Sequence, residues 1–306
     1  LDRTVVQILI DKYQNAGKKE IAYGLMRTIG SYQYPVELEK MSASELLVHL
    51  NNMKQAPKTR LERVLNHDTG LTEQELPDLI GTKYLRECQW EQAEEWLAQV
   101  PLSYYNNRGY AIYAAKRSYT VEPWITRQWL PFGMEWDHEP VSLRSNPKLT
   151  FAREMQKMEG ELNVLKGKAR EQRCYDLAVR YSQACLTGDC WWILSNSKSS
   201  ADTAADDKTG YTTRAINYLQ EASRTSDTQL KERALFALSY VYLNPDRWCE
   251  FKWDGDLGDL VRKPTPQASQ YKAFATLLKF EQSKGSRTSD YVSRCDEYVQ
   301  FKFLYR

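Results

Sequence analysis

Residues 81–101 read GTKYLRECQWEQAEEWLAQVP, and this stretch carries the strongest structural signal in the chain. Large and small side chains recur there at α-helical spacing, at offsets of 0, 3, 7 and 10: Trp90, Ala93, Leu97 and Val100. Gly81 and Tyr84 belong to a preceding helix, and Pro101 follows the second helix. Two tightly packed helices need a small residue where they approach most closely and large residues one and two turns later. The stretch therefore predicts a helical hairpin.

The same spacing recurs further along the chain. Its later copies are Thr212, Ala215, Leu219 and Ala222, and in part Val292, Cys295 and Val299. The pattern resembles the tetratricopeptide repeat, in which Gly-x-x-Tyr on one helix precedes aromatic-x-x-Ala-x-x-x-large-x-x-small on the next, and then Pro. Cys88 stands where that family has an inter-helix Gly, and Pro101 comes earlier than the family's Pro. The resemblance implies an all-α fold, a tetratricopeptide-like α-α superhelix in which antiparallel helix pairs form a solenoid.

The region from about Tyr84 to Phe301, roughly 70% of the chain, also resembles a group of uncharacterised tetratricopeptide-like proteins of the Bacteroidetes cell envelope. Four stretches carry this resemblance: YLRECQWEQAEEWLAQVP, KLTFAREMQKMEGEL, ERALFALSYVYLNPD and SDYVSRCDEYVQF. This resemblance implies a location in the periplasm or cell envelope and a binding role. It divides the chain into an N-terminal helical segment, residues 1–75, that packs on the repeats, and a tetratricopeptide-like repeat domain, residues 76–306. Because the chain opens at Leu1 without a signal-like segment, we expect a processed chain or part of a longer one.

Composition excludes several classes of protein. The 306 residues include 42 Lys and Arg against 40 Asp and Glu, without a basic run, which argues against a nucleic-acid partner. Gly and Pro are scarce, at 14 and 11 residues, which favours helices over an all-β sandwich. No apolar run approaches the roughly 18 residues that a transmembrane helix needs.

Local signals place several helix boundaries. Ser42 and Glu45 form a predicted capping box, flanked by Met41 and Leu46 as a hydrophobic staple. Further predicted helix starts are Asn146-Pro147, Thr265-Pro266 and the pair Ser226 and Gln229. Helices are predicted over 122–130, 228–243 and 287–302, among others. No strand is predicted, and residues 195–210 and 244–264 are predicted as loops.

The sequence predicts neither a metal nor a cofactor. None of the six cysteines forms C-x-x-C, so buried thiols are expected, with Cys174 and Cys295 on apolar helix faces. Three groups are weak candidates for a site: His67 beside Asp68 for a catalytic pair, His138 among carboxylates for a metal ligand, and Asp254, Asp256 and Asp259 among glycines for a calcium loop. Each is better interpreted as a solvated turn. G-x-S-x-G, P-loop and dinucleotide motifs are missing, so no catalytic residue is predicted.

Aromatic residues supply the candidate ligand-binding site. They are densest in residues 104–136, and the candidates are Tyr104, Tyr105, Tyr110, Trp124, Trp129 and Trp136. These rings form either a stacking platform for a peptide or glycan on a concave face, or packing between helices, which the helical spacing of Tyr110 and Tyr113 favours. We expect at least one of the three tryptophans to be substantially exposed in a concavity, because Pro123, Pro131 and Pro140 interrupt regular packing around them.

The predicted function is a non-enzymatic scaffold of the cell envelope that binds a protein, a peptide or another ligand. Solenoids of helix pairs present extended concave surfaces suited to that role. The first alternative is a glycan-binding module that uses exposed Trp and Tyr side chains. The second is an enzyme whose site is assembled from residues distant in sequence. Exposure of the aromatic rings distinguishes the scaffold from the glycan-binding module, since buried rings favour the scaffold.

Overall fold

The structure is a computed structural model that describes residues 3–56, 59–67, 74–129, 142–185, 187–196, 210–243, 245–256, 258–284 and 288–305. The described chain is predominantly α-helical, as the sequence predicted. Its helices are α1 (Arg3–Asn15), α2 (Lys19–Thr28), α3 (Gln33–Lys40), α4 (Ala43–Lys54), α5 (Arg60–His67), α6 (Glu75–Arg86), α7 (Trp90–Leu97), α8 (Leu102–Asn106), α9 (Ala111–Lys116), α10 (Pro147–Glu161), α11 (Gly167–Ala184), α12 (Tyr211–Ala222), α13 (Thr228–Val241), α14 (Ser269–Lys284), α15 (Asp290–Ser293) and α16 (Asp296–Leu304). A 3-10 helix covers Trp191–Leu194, and two strands, β1 (Cys249–Asp254) and β2 (Asp259–Pro264), form a hairpin.

The chain forms two compact units, each built from separated segments. Unit 1 comprises Leu1–Lys116, Phe132–Gln156 and Trp191–Thr209, and unit 2 comprises Arg117–Pro131, Lys157–Cys190 and Gly210–Arg306. The segment 1–75, predicted as a separate N-terminal part, lies within unit 1 together with residues 76–116.

Unit 1 is built on successive helix contacts. Helix α1 packs on α2, α2 on α3 and α5, α4 on α6, and α6 on α7. Their apolar faces meet in one core, which includes Val6, Ile10, Met26, Leu46, Leu79 and Ile80. Burial of such aliphatic side chains stabilises the unit by about 1.5–3 kcal/mol each.

The α6–α7 hairpin follows the pattern of residues 81–101. A Cβ atom added at Gly81 would lie 2.6 Å from Leu97 Cγ, so the two helices approach closely at the predicted small residue. Ala93 and Leu97 are buried on the facing side of α7. Cys88, between the helices, has a φ of 56°, the left-handed conformation that favours glycine. The backbone at Cys88 is therefore one that a Gly would suit.

Unit 2 contains a second run of helix pairs. Helix α11 packs on α12, α12 on α13, and α13 on α14, while α14 also contacts α16. Ala215, Leu219 and Ala222 are fully buried on α12, as their spacing predicted. The third copy of the spacing does not mark one helix face, so that prediction was wrong. Val292 and Val299 lie on different short helices, α15 and α16, and Val299 is exposed.

Helix boundaries follow their capping side chains. The capping box of Ser42 and Glu45 is confirmed, with Glu45 N donating to Ser42 Oγ and Ser42 N donating to Glu45. Asn146 accepts from Leu149 N at 3.1 Å before Pro147, also as predicted. Two predicted starts were displaced. Asp227 rather than Ser226 caps α13, and α14 begins at Ser269, whose N–H donates to Asp246, rather than at Pro266.

Residues 122–130 were predicted to be helical, and within the described residues to Trp129 this is wrong. After turns at 123–125 the chain is irregular. Tertiary hydrogen bonds explain the difference: Gln128 N donates to Asp189 Oδ2 at 3.0 Å, and the Gln128 side chain bonds both backbone groups of Ser118. These partners replace the bonds that a helix would make.

The prediction of no strand was also wrong. In residues 249–264, predicted as a loop, β1 pairs antiparallel with β2, with Phe251 opposite Arg262 and Trp253 opposite Leu260. Polar and apolar residues alternate along β1, which is the pattern of a strand with two unlike faces. Asp254 and Asp256 serve the turn, since Asp254 accepts from the N–H groups of Asp256 and Gly258.

Cysteine burial agrees with the prediction in part. Cys174, Cys190 and Cys249 are buried, whereas Cys88, Cys185 and Cys295 are half-buried, and no disulfide joins any of these six described residues. Burial raises the pKa of Cys174 and of Cys190 to about 12, so both remain protonated thiols at neutral pH. Cys295 does not lie within an apolar helix face as predicted, because it is the N-cap residue of α16.

Among the described residues, none of the helices combines the length and apolar character needed to cross a lipid bilayer.

Candidate functional site

Three of the six predicted site residues lie in unit 1, where Tyr105 and Tyr110 are fully buried and Tyr104 is half-buried. Tyr110 stacks on Trp192, with ring centroids 6.1 Å apart, and Tyr104 meets Tyr105 edge-on at 5.5 Å. Burial raises the pKa of all three phenols well above the usual value, and the nearby Asp78 carboxylate raises it further. Tyr105 and Tyr110 therefore contribute to the packed interior and offer no open ring face.

A buried ion pair anchors Tyr105. Asp78 on α6 and Lys148 on α10 are both fully buried. The Lys148 ammonium donates to three groups: Asp78 Oδ1 at 3.1 Å, Thr82 Oγ1 at 2.7 Å and the Ser195 carbonyl at 2.7 Å. Asp78 also accepts from Tyr105 Oη and Asn196 Nδ2, each at 2.7 Å. Both charges are compensated by hydrogen bonds and closed to solvent, so the pair links the elements of unit 1 rather than reaching a substrate.

Trp124 lies in unit 2 and is buried. Its indole N–H donates to Tyr175 Oη at 2.8 Å, and its ring meets those of Tyr175 and Tyr240 edge-on. Tyr175 donates to Glu122, which also pairs with Arg233. Burial and the Glu122 carboxylate raise the pKa of Tyr175 well above its usual value. This network fixes Trp124 as a packing residue.

Trp129, also in unit 2, is 78% exposed, which confirms the predicted exposure of at least one of the three tryptophans, while its place in a concavity stays a prediction. The Arg127 guanidinium lies over its ring, 5.6 Å from the centroid. Arg127 is itself held by Asp189 at 2.8 Å and by Tyr240 Oη at 2.7 Å. The exposed ring thus follows a backbone segment with fixed side chains. Trp136 lies outside the described residues.

The weaker candidates add no site in the part of the chain that the structure describes. His138 and the side chain of His67 lie outside it. No group of three or more His, Cys, Asp and Glu side chains among the described residues is placed to hold a metal ion.

The β-hairpin presents an exposed apolar face that the sequence interpretation missed. Phe251, Trp253 and Leu260 lie on one face of the two strands and are 44, 67 and 57% exposed. The guanidinium groups of Arg247 and Arg262 lie over the Phe251 ring, at 4.9 and 5.2 Å from its centroid. The alternation of residues 249–254 was the available sequence signal.

A second open feature is a pocket of about 510 Å³ in unit 1, formed by α2, α3 and α4. This volume is within the usual range of small-molecule sites. Its charged lining residues are Lys19, Glu20, Glu37, Lys40 and Glu45, and its apolar ones include Tyr23, Met41 and Val48. We call it the α2–α4 pocket.

A chain of hydrogen bonds runs behind this pocket. His49 is almost fully buried, and its Nδ1 lies 2.8 Å from Glu20 Oε2 while its Nε2 lies 2.7 Å from Tyr34 Oη. Arg27 donates to Tyr34 Oη at 3.2 Å. Burial raises the pKa of Tyr34 although Arg27 opposes the shift, so Tyr34 stays a neutral hydroxyl group. The sequence signal for this site was weak: His49 interrupts the apolar stripe of Leu46, Leu50 and Met53 on α4.

No protein-family model, no curated protein and no solved structure matches this chain.

Proposed function

We propose that this chain is a non-enzymatic binding scaffold of the cell envelope and that it binds a protein partner. The observation that carries the proposal is the exposed apolar face of the β-hairpin, formed by Phe251, Trp253 and Leu260. Contiguous exposed apolar side chains with a polar border are typical of protein interaction sites. Within the part of the chain that the structure describes, these three side chains are not buried by another element.

Charge around the hairpin face indicates the kind of partner. Arg247 and Arg262 border Phe251, and both pair with the single carboxylate of Glu297, at 2.6 and 3.8 Å. Two guanidinium groups that share one carboxylate leave the border beside Phe251 with excess positive charge, whereas Asp254 and Asp259 lie beside the Trp253–Leu260 pair at the other end. The partner we propose therefore has an apolar centre and acidic residues beside it.

Features of the helices support a tetratricopeptide-like arrangement within the units. They are the close approach at Gly81, the left-handed backbone at Cys88 and the successive packing of α11, α12, α13 and α14. A location in the periplasm or cell envelope is proposed from the sequence resemblance alone.

The test compares hairpin variants with opposite faces changed. Trp253→Ser removes the largest exposed ring of the hairpin. Lys252→Ser is its matched control because Lys252 lies on the other face of the same strand. We expect a specific protein to be captured from solubilised envelope by the wild type and by Lys252→Ser, and lost with Trp253→Ser. Melting temperatures should stay close to wild type, since both side chains are exposed. Equal capture by all three chains would contradict the proposal.

Glycan binding is a second candidate because Trp129 is 78% exposed and follows residues whose side chains are anchored. Carbohydrate rings stack on open aromatic faces of this kind. Trp129→Ala should abolish binding to envelope polysaccharide in a glycan array, with Trp253→Ala as the control for loss of an exposed tryptophan. Binding that survives Trp129→Ala, or no glycan binding by the wild type, would remove this candidate.

A further inference from the structure

We propose that the α2–α4 pocket of unit 1 binds an alkyl-ammonium or guanidinium group on an apolar stem, with the Glu20 carboxylate as its counter-ion. This inference goes beyond the proposed protein-binding role, because it concerns another part of the chain and a different ligand chemistry. It depends on the distribution of charge in the pocket, on the support behind Glu20 and on the apolar lining.

All three pocket carboxylates have a partner within the protein, and for Glu20 that partner is His49, which bonds Oε2. Glu37 accepts from Lys40 Nζ at 2.7 Å. Glu45 accepts from Ser42 N at 2.8 Å as part of the capping box, and these hydrogen bonds lower the pKa of Glu45. The third carboxylate, Glu20, has a side chain that is 44% exposed. It is thus the acidic group of the pocket best placed to receive a cation from solution.

The hydrogen bonds behind Glu20 hold its carboxylate in one orientation. Glu20 Oε2 can only accept, so His49 Nδ1 carries the proton of that hydrogen bond. Nε2 of a neutral His49 ring then accepts from the Tyr34 hydroxyl, and Tyr34 Oη accepts from Arg27. Each member of the chain fixes the next, and fixed polar groups bind a ligand with less loss of conformational entropy.

The apolar lining suits the stem of such a ligand. Tyr23, Met41 and Val48 line the same pocket as Glu20, and Val48 is exposed. Tyr23 is held against His49, with ring centroids 5.2 Å apart and the rings nearly perpendicular. A straight chain of several methylene groups therefore has apolar side chains to contact while its cation reaches Glu20. Lysine and arginine side chains have this form, as do free alkyl diamines.

Isothermal titration calorimetry with defined probes tests the site. The probes are a capped peptide with a central lysine, the same peptide with norleucine at that position, and the free diamine cadaverine. We expect the lysine peptide or cadaverine to bind, and the norleucine peptide to bind about tenfold more weakly or not at all, because a charge-assisted hydrogen bond is lost. Binding of the peptide alone would assign a protein side chain as the ligand, and binding of cadaverine alone would assign a small amine.

Glu20→Gln removes the charge while keeping an oxygen that accepts from His49. We expect it to weaken the cationic probe about tenfold or more. Glu91→Gln is the matched control, because Glu91 is an exposed glutamate of unit 1 outside the pocket, and its affinity should stay within about twofold of wild type. Circular dichroism melting of both variants checks that they fold. Absence of binding by every cationic probe, or equal binding by folded Glu20→Gln, would overturn the proposal.

Discussion

Cys88 has the backbone conformation that glycine adopts most easily. It follows α6, where Gln89 N donates to the Tyr84 carbonyl at 2.9 Å and Cys88 N to the Leu85 carbonyl at 3.0 Å, the two bonds of a Schellman motif. The left-handed conformation costs a residue with a Cβ about 1–2 kcal/mol, and glycine has a smaller entropic cost. We expect Cys88→Gly to raise the free energy of unfolding by about 0.5–1 kcal/mol, measured by urea denaturation.

Cys88→Ala separates the backbone from the thiol. Alanine removes the sulfur but keeps the Cβ, so this variant should be no more stable than the wild type. If Cys88→Ala stabilises the protein as much as Cys88→Gly does, the backbone explanation is wrong.

The Asp78–Lys148 pair allows a prediction about coupling between two residues. Lys148→Met leaves the buried Asp78 carboxylate without its cation, and loss of one partner in a buried pair costs about 3–5 kcal/mol. Asp78→Asn should also destabilise, because the Lys148 ammonium then lacks its anion. The double variant should lose at least about 1 kcal/mol less than the two single losses added together, as contacting residues do. Urea denaturation of the four chains measures this difference, and simple additivity would show that the pair is not coupled.

At the scale of elements, close packing of α6 on α7 predicts opposite effects for two glycines. A Cβ at Gly81 would meet Leu97 Cγ at 2.6 Å and Cδ2 at 2.7 Å, whereas a Cβ at Gly160 on α10 meets nothing within 4 Å. Gly81→Ala should therefore destabilise the protein by about 1–3 kcal/mol through overpacking. Gly160→Ala should stabilise it by up to about 1 kcal/mol, because alanine favours helix. Thermal melting compares the two, and a shift of the same sign in both would contradict the close approach.

These elements also show which features a sequence can predict. The capping box of Ser42 and Glu45 and the spacing of Trp90, Ala93 and Leu97 depend on residues a few positions apart, and they occur as predicted. Helix α3 was not among the predicted helices, although Pro35 lies in its first turn, where proline is tolerated. The β-hairpin was missed because Gly and Asp around residue 255 outweighed the short alternation in residues 249–254.

The candidate sites were harder to predict because they depend on distant residues. Tyr105 and Trp129 belong to the same aromatic stretch, yet one is buried and the other exposed. Spacing along the chain does not distinguish them, since their neighbours come from other helices. Likewise the α2–α4 pocket needs Glu20, Tyr34 and His49 from three helices, and no local pattern joins them.

At the scale of the whole molecule, each unit is completed by segments far apart in sequence. In unit 1, Lys148 reaches Asp78, Asn146 donates to the Leu97 carbonyl at 2.9 Å, and Arg86 donates to the Leu194 carbonyl at 2.7 Å. Residues 1–116 therefore hold most helices of unit 1 without the residues that compensate its buried polar groups. Such a fragment would contain the apolar core but not the polar residues beyond position 116 that bond its buried polar groups.

Fragment 1–116 should consequently unfold at a much lower temperature than the full chain, with a broad transition in circular dichroism. Without Lys148 and Asn196, the Asp78 carboxylate either stays buried without its cation or forces the interior open, and both outcomes are unfavourable. Asp78→Leu supplies the decisive comparison, because it should stabilise the fragment, which lacks Lys148, and destabilise the full chain, where Lys148 would become the unpaired charge. A fragment that melts like the full chain, or an Asp78→Leu effect of the same sign in both, would show that the distant segments do not complete the interior of unit 1.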